Sequence, residues 1–113
     1  MFRALSDTVL VADRQLRPED IEAVVAAGVE LLVNNRPDGE EPGQPTSAEI
    51  ERATLAAGLR YSHIPIAGGI TPDQVAAMAV ALGEGKLLAF CRSGTRSTVL
   101  WAMAARARGE SAS

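Results

Sequence analysis

The sequence predicts a layered α/β domain built around a mainly parallel sheet. Short apolar runs alternate with helical stretches along the whole chain, which is the pattern of strand–helix–strand units. Helix-start signals recur after the apolar runs, at Pro18, Thr46 and Thr71. The 113 residues suffice for a single domain, 1–113, and are too few for two.

The elements follow in order. Thr8 to Ala12 reads as the first strand. Pro18 then takes a first-turn position, Glu19 and Asp20 suit the positive end of a helix dipole, and Gly28 supplies a stop. Between them Ile21, Val24 and Val25 fall on one buried face. Val29 to Val33 is a continuous apolar run, as expected of a strand covered on both faces. Asn34 to Pro45 collects prolines, glycines and acidic residues and reads as a loop. Thr46-Ser47-Ala48-Glu49 has capping-box spacing and opens a helix that runs to about Ala57, with Gly58 ending it. Leu59 to Ile66 is the third strand. After Gly68-Gly69, Thr71-Pro72-Asp73-Gln74 forms a second capping box with proline at the first helical position. That helix ends near Gly83-Glu84-Gly85, and Leu87 to Phe90 makes the fourth strand. A last apolar helical pattern covers Thr98 to Arg108, with Leu100, Trp101 and Met103 assigned to the core.

Apolar residues make up 47% of the chain, a globular rather than a disordered composition. A net charge of −3 offers no general attraction for nucleic acid or an anionic membrane. Affinity for an anion must therefore be local. The sole cysteine excludes an intramolecular disulfide framework, and no Cys/His cluster has metal-ligand spacing, so neither metal nor organic cofactor is expected. The amino terminus does not read as a signal peptide, and the longest apolar run, Val75 to Leu82, is too short to span a bilayer. The expectation is a cytoplasmic domain acting on a small anion, with no protein partner specified.

Cys91 opens the most informative stretch, Cys91-Arg92-Ser93-Gly94-Thr95-Arg96-Ser97. A strand feeding a glycine-containing loop that opens a helix presents backbone N–H groups to an anion, and the helix dipole adds to them. A thiol at the first position of such a loop ionises more easily than a free one, which makes Cys91 the candidate nucleophile. A lone cysteine is otherwise a small buried hydrophobe. Arg96 is the candidate oxyanion clamp, because its planar fork matches paired oxygens and a basic residue is otherwise misplaced at a helix start. Arg92, Ser93, Gly94 and Thr95 complete the expected substrate-binding loop. Gly94 either adopts a backbone angle closed to other residues or leaves room for the ligand. Ser97 either begins the helix routinely or gives its hydroxyl to the thiolate, and Thr98 makes a weaker version of the same case.

A general acid is less legible. Asp38 lies in the loop expected to overhang the cradle and is the candidate, although it, Glu40 and Glu41 also read as solvated loop charge. Asp73 is accounted for by its capping box. His63, within a strand, reads as a packed, hydrogen-bonded histidine.

From Tyr61 onward the chain resembles dual-specificity phosphatases of the cysteine-dependent class, through Tyr61-Ser62-His63-Ile64-Pro65-Ile66, a helix, Leu87 to Phe90, the cysteine loop and Ser97. With Asn34-Asn35-Arg36-Pro37-Asp38-Gly39-Glu40-Glu41 included, it resembles a small bacterial family over roughly Leu5 to Arg108. That family is described either as beta-lactamase hydrolase-like protein, phosphatase-like domain, or as sulfur transferase. The resemblance implies a dual-specificity-phosphatase-like fold and a phosphate-ester substrate attacked by Cys91.

Two departures keep the reaction open. Only four residues separate Cys91 from Arg96, where the phosphatase loop is one residue longer, and Phe90 takes the place of the usual histidine. This shorter spacing is that of rhodanese-type sulfurtransferases. The stretch Ala67-Gly68-Gly69-Ile70-Thr71 also lacks the acid that such phosphatases carry soon after the third strand. Phosphate-ester hydrolysis, sulfur transfer through a Cys91 persulfide, and a non-catalytic oxyanion or redox sensor all remain compatible with the loop.

Overall fold

A computed structural model describes residues 1–109, so the carboxyl-terminal limit expected at residue 113 lies outside the described residues. Five strands, β1 (Phe2–Ala4), β2 (Val9–Ala12), β3 (Leu31–Asn34), β4 (Arg60–His63) and β5 (Leu87–Phe90), form one sheet in the order β1-β2-β5-β3-β4. All neighbours run parallel except β1, which pairs antiparallel with β2. The expected α/β fold with a mainly parallel sheet is thus observed.

The helices are α1 (Ile21–Ala26), α2 (Ser47–Ala56), α3 (Pro72–Leu82) and α4 (Thr95–Ala107). Their starts follow local chemistry. Thr46 and Thr71 each accept the backbone N–H of the residue three ahead, Glu49 and Gln74, whose side chains reach back to the cap amide. Pro18–Asp20 forms a single 3₁₀ turn that leads into α1, because Asp20 bonds back to the Arg17 amide.

Side chains alternate across the sheet. On β5, Leu87 and Ala89 join the core under α3 and α4, with Val33, Met78, Leu100 and Trp101. Leu88 and Phe90 face the other side and pack with Leu16, Ile21, Val24, Leu32 and Ile50 under α1 and α2. All four β5 residues are buried, which explains why this segment reads as an unbroken apolar run.

Four points differ from the sequence expectation. The strand β1 was not anticipated, since three residues carrying an exposed Arg3 show no period; it forms because β2 offers an open edge, with Phe2 opposite Ala12 and Ala4 opposite Leu10. Helix α4 begins at Thr95, three residues before the apolar pattern, because Gly94 turns the chain there. Met103 is 42% exposed and lies outside the core, whereas Leu100 and Trp101 are buried as expected. The third strand is shorter than Leu59 to Ile66, yet the Ile64 and Ile66 amides still bond to the Asn34 and Asn35 carbonyls beyond it.

Candidate active site

β5 sits between β2 and β3 and delivers Cys91 at its carboxyl end, where parallel α/β sheets place their ligands. The Cys91 thiol is buried. The Gly94 amide donates to its Sγ at 3.1 Å. Burial pushes the thiol pKa up, but the amides of Ser97, Ser93 and Gly94, together with the Ser97 hydroxyl, outweigh it and hold the pKa below its ordinary value. The Ser97 Oγ is itself fully buried and has no well-aligned partner in the folded chain. It is therefore available to the sulfur.

Gly94 caps α4 at φ 95°, in the left-handed region that favours glycine. Space around it is taken by protein, because an added Cβ would lie 2.7 Å from the Ala12 carbonyl oxygen. Its freedom thus lets the loop turn tightly against β2. Arg92, Ser93 and Thr95 are exposed on the loop. The Ser93 and Thr95 hydroxyls lie 3.2 Å apart. The Thr98 hydroxyl donates to the Gly94 carbonyl at 2.8 Å and so braces the first turn.

Arg96, in that first turn, does not stand free. Its Nη1 donates to Glu40 Oε2 at 2.8 Å and to the Ile66 carbonyl at 2.9 Å, and its Nη2 donates to Glu40 Oε1 at 2.9 Å. The hydrogen bonds to Glu40, opposed by partial burial and helped by the charge of Cys91, raise the Arg96 pKa further. Glu40 is pulled down to about 2, first by its bond to Arg96, against partial burial, and then by Arg36.

Arg36 is among the most buried side chains of the molecule, 1% exposed. Its Nε donates to Glu40 Oε1 at 2.8 Å, its Nη1 to Gln15 Oε1 at 3.1 Å and its Nη2 to Glu41 Oε1 at 3.1 Å. The backbone around it is fixed as well. Asn34 Oδ1 accepts the Arg36 amide, and the Arg36 carbonyl accepts from His63 Nε2, each at 2.9 Å. The adjoining Asn35 bonds its amide to the Phe90 carbonyl at 2.8 Å and its Nδ2 to the Ile64 carbonyl at 2.9 Å. The ends of β3, β4 and β5 are thereby held together around the cysteine loop.

The structure gathers Cys91, Gly94, Arg96 and Ser97. It directs Asp38 elsewhere, since its Oδ1 accepts the Ser47 amide at 2.7 Å and caps α2. The loop acid that reaches the cysteine loop is Glu40, which the sequence reading took for solvated charge. Two signals pointed to it: a basic residue at a helix start needs an anion nearby, and Arg36 and Glu40 are four residues apart. His63 is a hydrogen-bonded, half-buried strand residue, as expected. Among the described residues, no three His, Cys, Asp or Glu side chains come together as a metal site, and no helix is long and apolar enough to cross a membrane. An open groove of about 730 Å³ between α1 and α2, lined by residues such as Ile21, Val25 and Ala53, contains none of the residues gathered around Cys91.

This architecture is that of the phosphatase-like α/β domains. A mouse structure described as a candidate dual-specificity phosphatase superposes with a TM-score of 0.63 at 22% identity, covering 98% of this chain and 68% of that one. A candidate phosphatase from Neisseria meningitidis matches more closely, with a TM-score of 0.82 and 30% identity over 96% of this chain and 78% of its own. The chain belongs to the family described as beta-lactamase hydrolase-like protein, phosphatase-like domain, whose model matches residues 1–108. A beta-lactamase hydrolase-like protein of Agrobacterium fabrum is 39% identical over 87 residues, 74% of this chain and 20% of the relative. The chain thus spans about a fifth of the length of that curated relative.

Proposed function

We propose that this domain is a cysteine-dependent phosphatase-type hydrolase in which Cys91 is the nucleophile. The observation that carries the reading is the sulfur held in an amide nest, with Gly94 N at 3.1 Å and a pKa below the ordinary thiol value. The thiolate attacks phosphorus, the S–P bond forms and the ester P–O bond breaks. Water then attacks the phosphocysteine, phosphate departs and the thiolate is regenerated. Loop amides and Arg96 neutralise the equatorial oxygens, with Arg92, Ser93 and Thr95 lining the approach. The Ser97 hydroxyl stabilises the sulfur as it carries charge in the leaving step.

The proton for the leaving oxygen has no obvious source in this arrangement. Glu40 has both oxygens committed to arginines, and Asp38 caps α2. Aryl phosphates, whose leaving group departs without protonation, are therefore the preferred substrate class over alkyl esters.

The test measures phosphate release from an aryl phosphate with wild type and Cys91→Ser. Turnover by wild type and none by the variant supports the reading. A stable Cys91 persulfide formed from thiosulfate, with sulfite released and no phosphatase activity, would replace it with sulfur transfer. That alternative keeps the short Cys91–Arg96 spacing in its favour, although none of the relatives named above is described as a sulfurtransferase. Binding of phosphate without either reaction would indicate a sensor.

A further inference from the structure

Arg96 has five N–H donors; three are bonded to Glu40 and the Ile66 carbonyl, and the guanidinium also lies close enough to the Cys91 sulfur for it to raise the Arg96 pKa. Nη1 spends both hydrogens, on Glu40 Oε2 and the Ile66 carbonyl, while Nη2 spends one on Glu40 Oε1. Glu40 thus occupies the end-on fork formed by the two terminal nitrogens. The Nε–H and the second Nη2–H make no bond to Glu40 or Ile66, and in a planar guanidinium these two are parallel and share the side-on edge. Such an edge binds two oxygens of an oxyanion as a pair.

Glu40 in turn is not a free loop carboxylate. Its Oε1 also accepts Arg36 Nε at 2.8 Å. Arg36 is 1% exposed and is tied at its other nitrogens to Gln15 and Glu41, and through its backbone to Asn34 and His63. A side chain so enclosed has one available geometry. The chain of contacts therefore runs from a fixed cation, through one carboxylate, to the guanidinium beside Cys91.

We infer that Arg36 and Glu40 are positioning residues: buried Arg36 anchors Glu40, and Glu40 grips the end-on fork of Arg96 so that its side-on edge is presented to an oxyanion over the cysteine loop. The inference rests on the reading of Cys91 and Arg96 as an anion site and adds what aims the arginine. Glu40 does not compete with the substrate in this arrangement, because the two anions use different edges of one guanidinium. Arg36 and Arg96 together offset Glu40 and Glu41, so attraction for an anion falls to the loop amides, the start of α4 and the directed edge of Arg96.

The experiment measures how inorganic tungstate protects Cys91 from iodoacetamide, together with kcat and KM on an aryl phosphate. Wild type, Glu40→Gln and Arg36→Met are compared. Misaimed catalytic groups lose up to about 100-fold in rate, so Glu40→Gln should bind tungstate about ten-fold or more weakly and lose kcat, the protection of each variant being read relative to its own Cys91 alkylation rate without tungstate. Arg36→Met should move both in the same direction by less. Unchanged or tighter tungstate protection in a folded Glu40→Gln overturns the inference, and tighter protection would show that Glu40 blocks the site. A loss of melting temperature with tungstate binding and kcat retained also overturns it, since that is a purely structural role. If Glu40→Gln does not fold, the double variant Arg36→Met/Glu40→Gln removes both charges and is judged by the same criterion. Absence of tungstate protection in wild type would refute the anion site itself, and this inference with it; protection in wild type and its equal in Glu40→Gln would refute the positioning alone.

Discussion

Gly94 and Ala12 approach so closely that a single methyl group on the glycine would stand 2.7 Å from the Ala12 carbonyl oxygen. The contact joins the cysteine loop to the end of β2, and the loop keeps its shape partly because β2 is there. At φ 95° the glycine also adopts a backbone conformation that an L side chain resists.

Gly94→Ala should therefore destabilise the domain. Left-handed backbone alone costs about 1–2 kcal/mol for an L residue, and the overlap with a backbone carbonyl adds to it. The melting temperature should fall by about 4–8 °C per kcal/mol for a domain of this size. Calorimetry on the purified variant checks this, with an unchanged melting temperature as the contrary result.

Ser97→Ala should separate acidity from stability. The hydroxyl is buried without a well-aligned partner and acts on the Cys91 sulfur, so the melting temperature should hold where the thiol is protonated and fall slightly where it is ionised. The Cys91 thiol loses one of the groups that lower its pKa, so the midpoint of iodoacetamide alkylation against pH should move upward. Under the proposed function, aryl phosphate turnover should follow the same shift, because a thiol reacts as its thiolate.

Acid should weaken the fold through Glu40. Its folded pKa of about 2 lies below its ordinary 4.5. A depressed carboxylate contributes stability that is complete above the ordinary value and lost as pH falls through the folded one. The Glu40 contribution should therefore decline between about pH 4.5 and pH 2, and denaturant titrations of Glu40→Gln should show a shallower loss over that window than wild type.

Phe90→Ala should be costly. The ring is fully buried between the sheet and α1–α2, just before Cys91. Truncating a buried phenylalanine costs about 3–5 kcal/mol, and urea unfolding would report it.

Much of this arrangement was legible before any coordinates. The capping boxes at Thr46 and Thr71 act through residues three apart, and the apolar runs of β3 and β5 report burial on both faces, so both are written locally. Cys91, Gly94 and Arg96 were recognisable because a strand, a glycine and a helix follow one another within a few residues. The partner of Arg96 was not, since Glu40 lies 56 positions away and meets it only when the ends of β3 and β5 come together. Asp38 and Glu40 share one acidic loop, and nothing in their composition says which turns inward. The fold decides it, because Asp38 meets the start of α2 while Glu40 meets two arginines.

The central place of β5 has a consequence for how the molecule fails. It is laddered to β2 on one side and to β3 on the other, whereas β1 holds a single neighbour at the rim. Deuterium should thus enter β1 through fraying and reach the amides of Leu88 and Ala89 only when the whole domain opens. Cys91 follows directly on the last part to come apart, so under the proposed function thermal inactivation and global melting should trace a single curve.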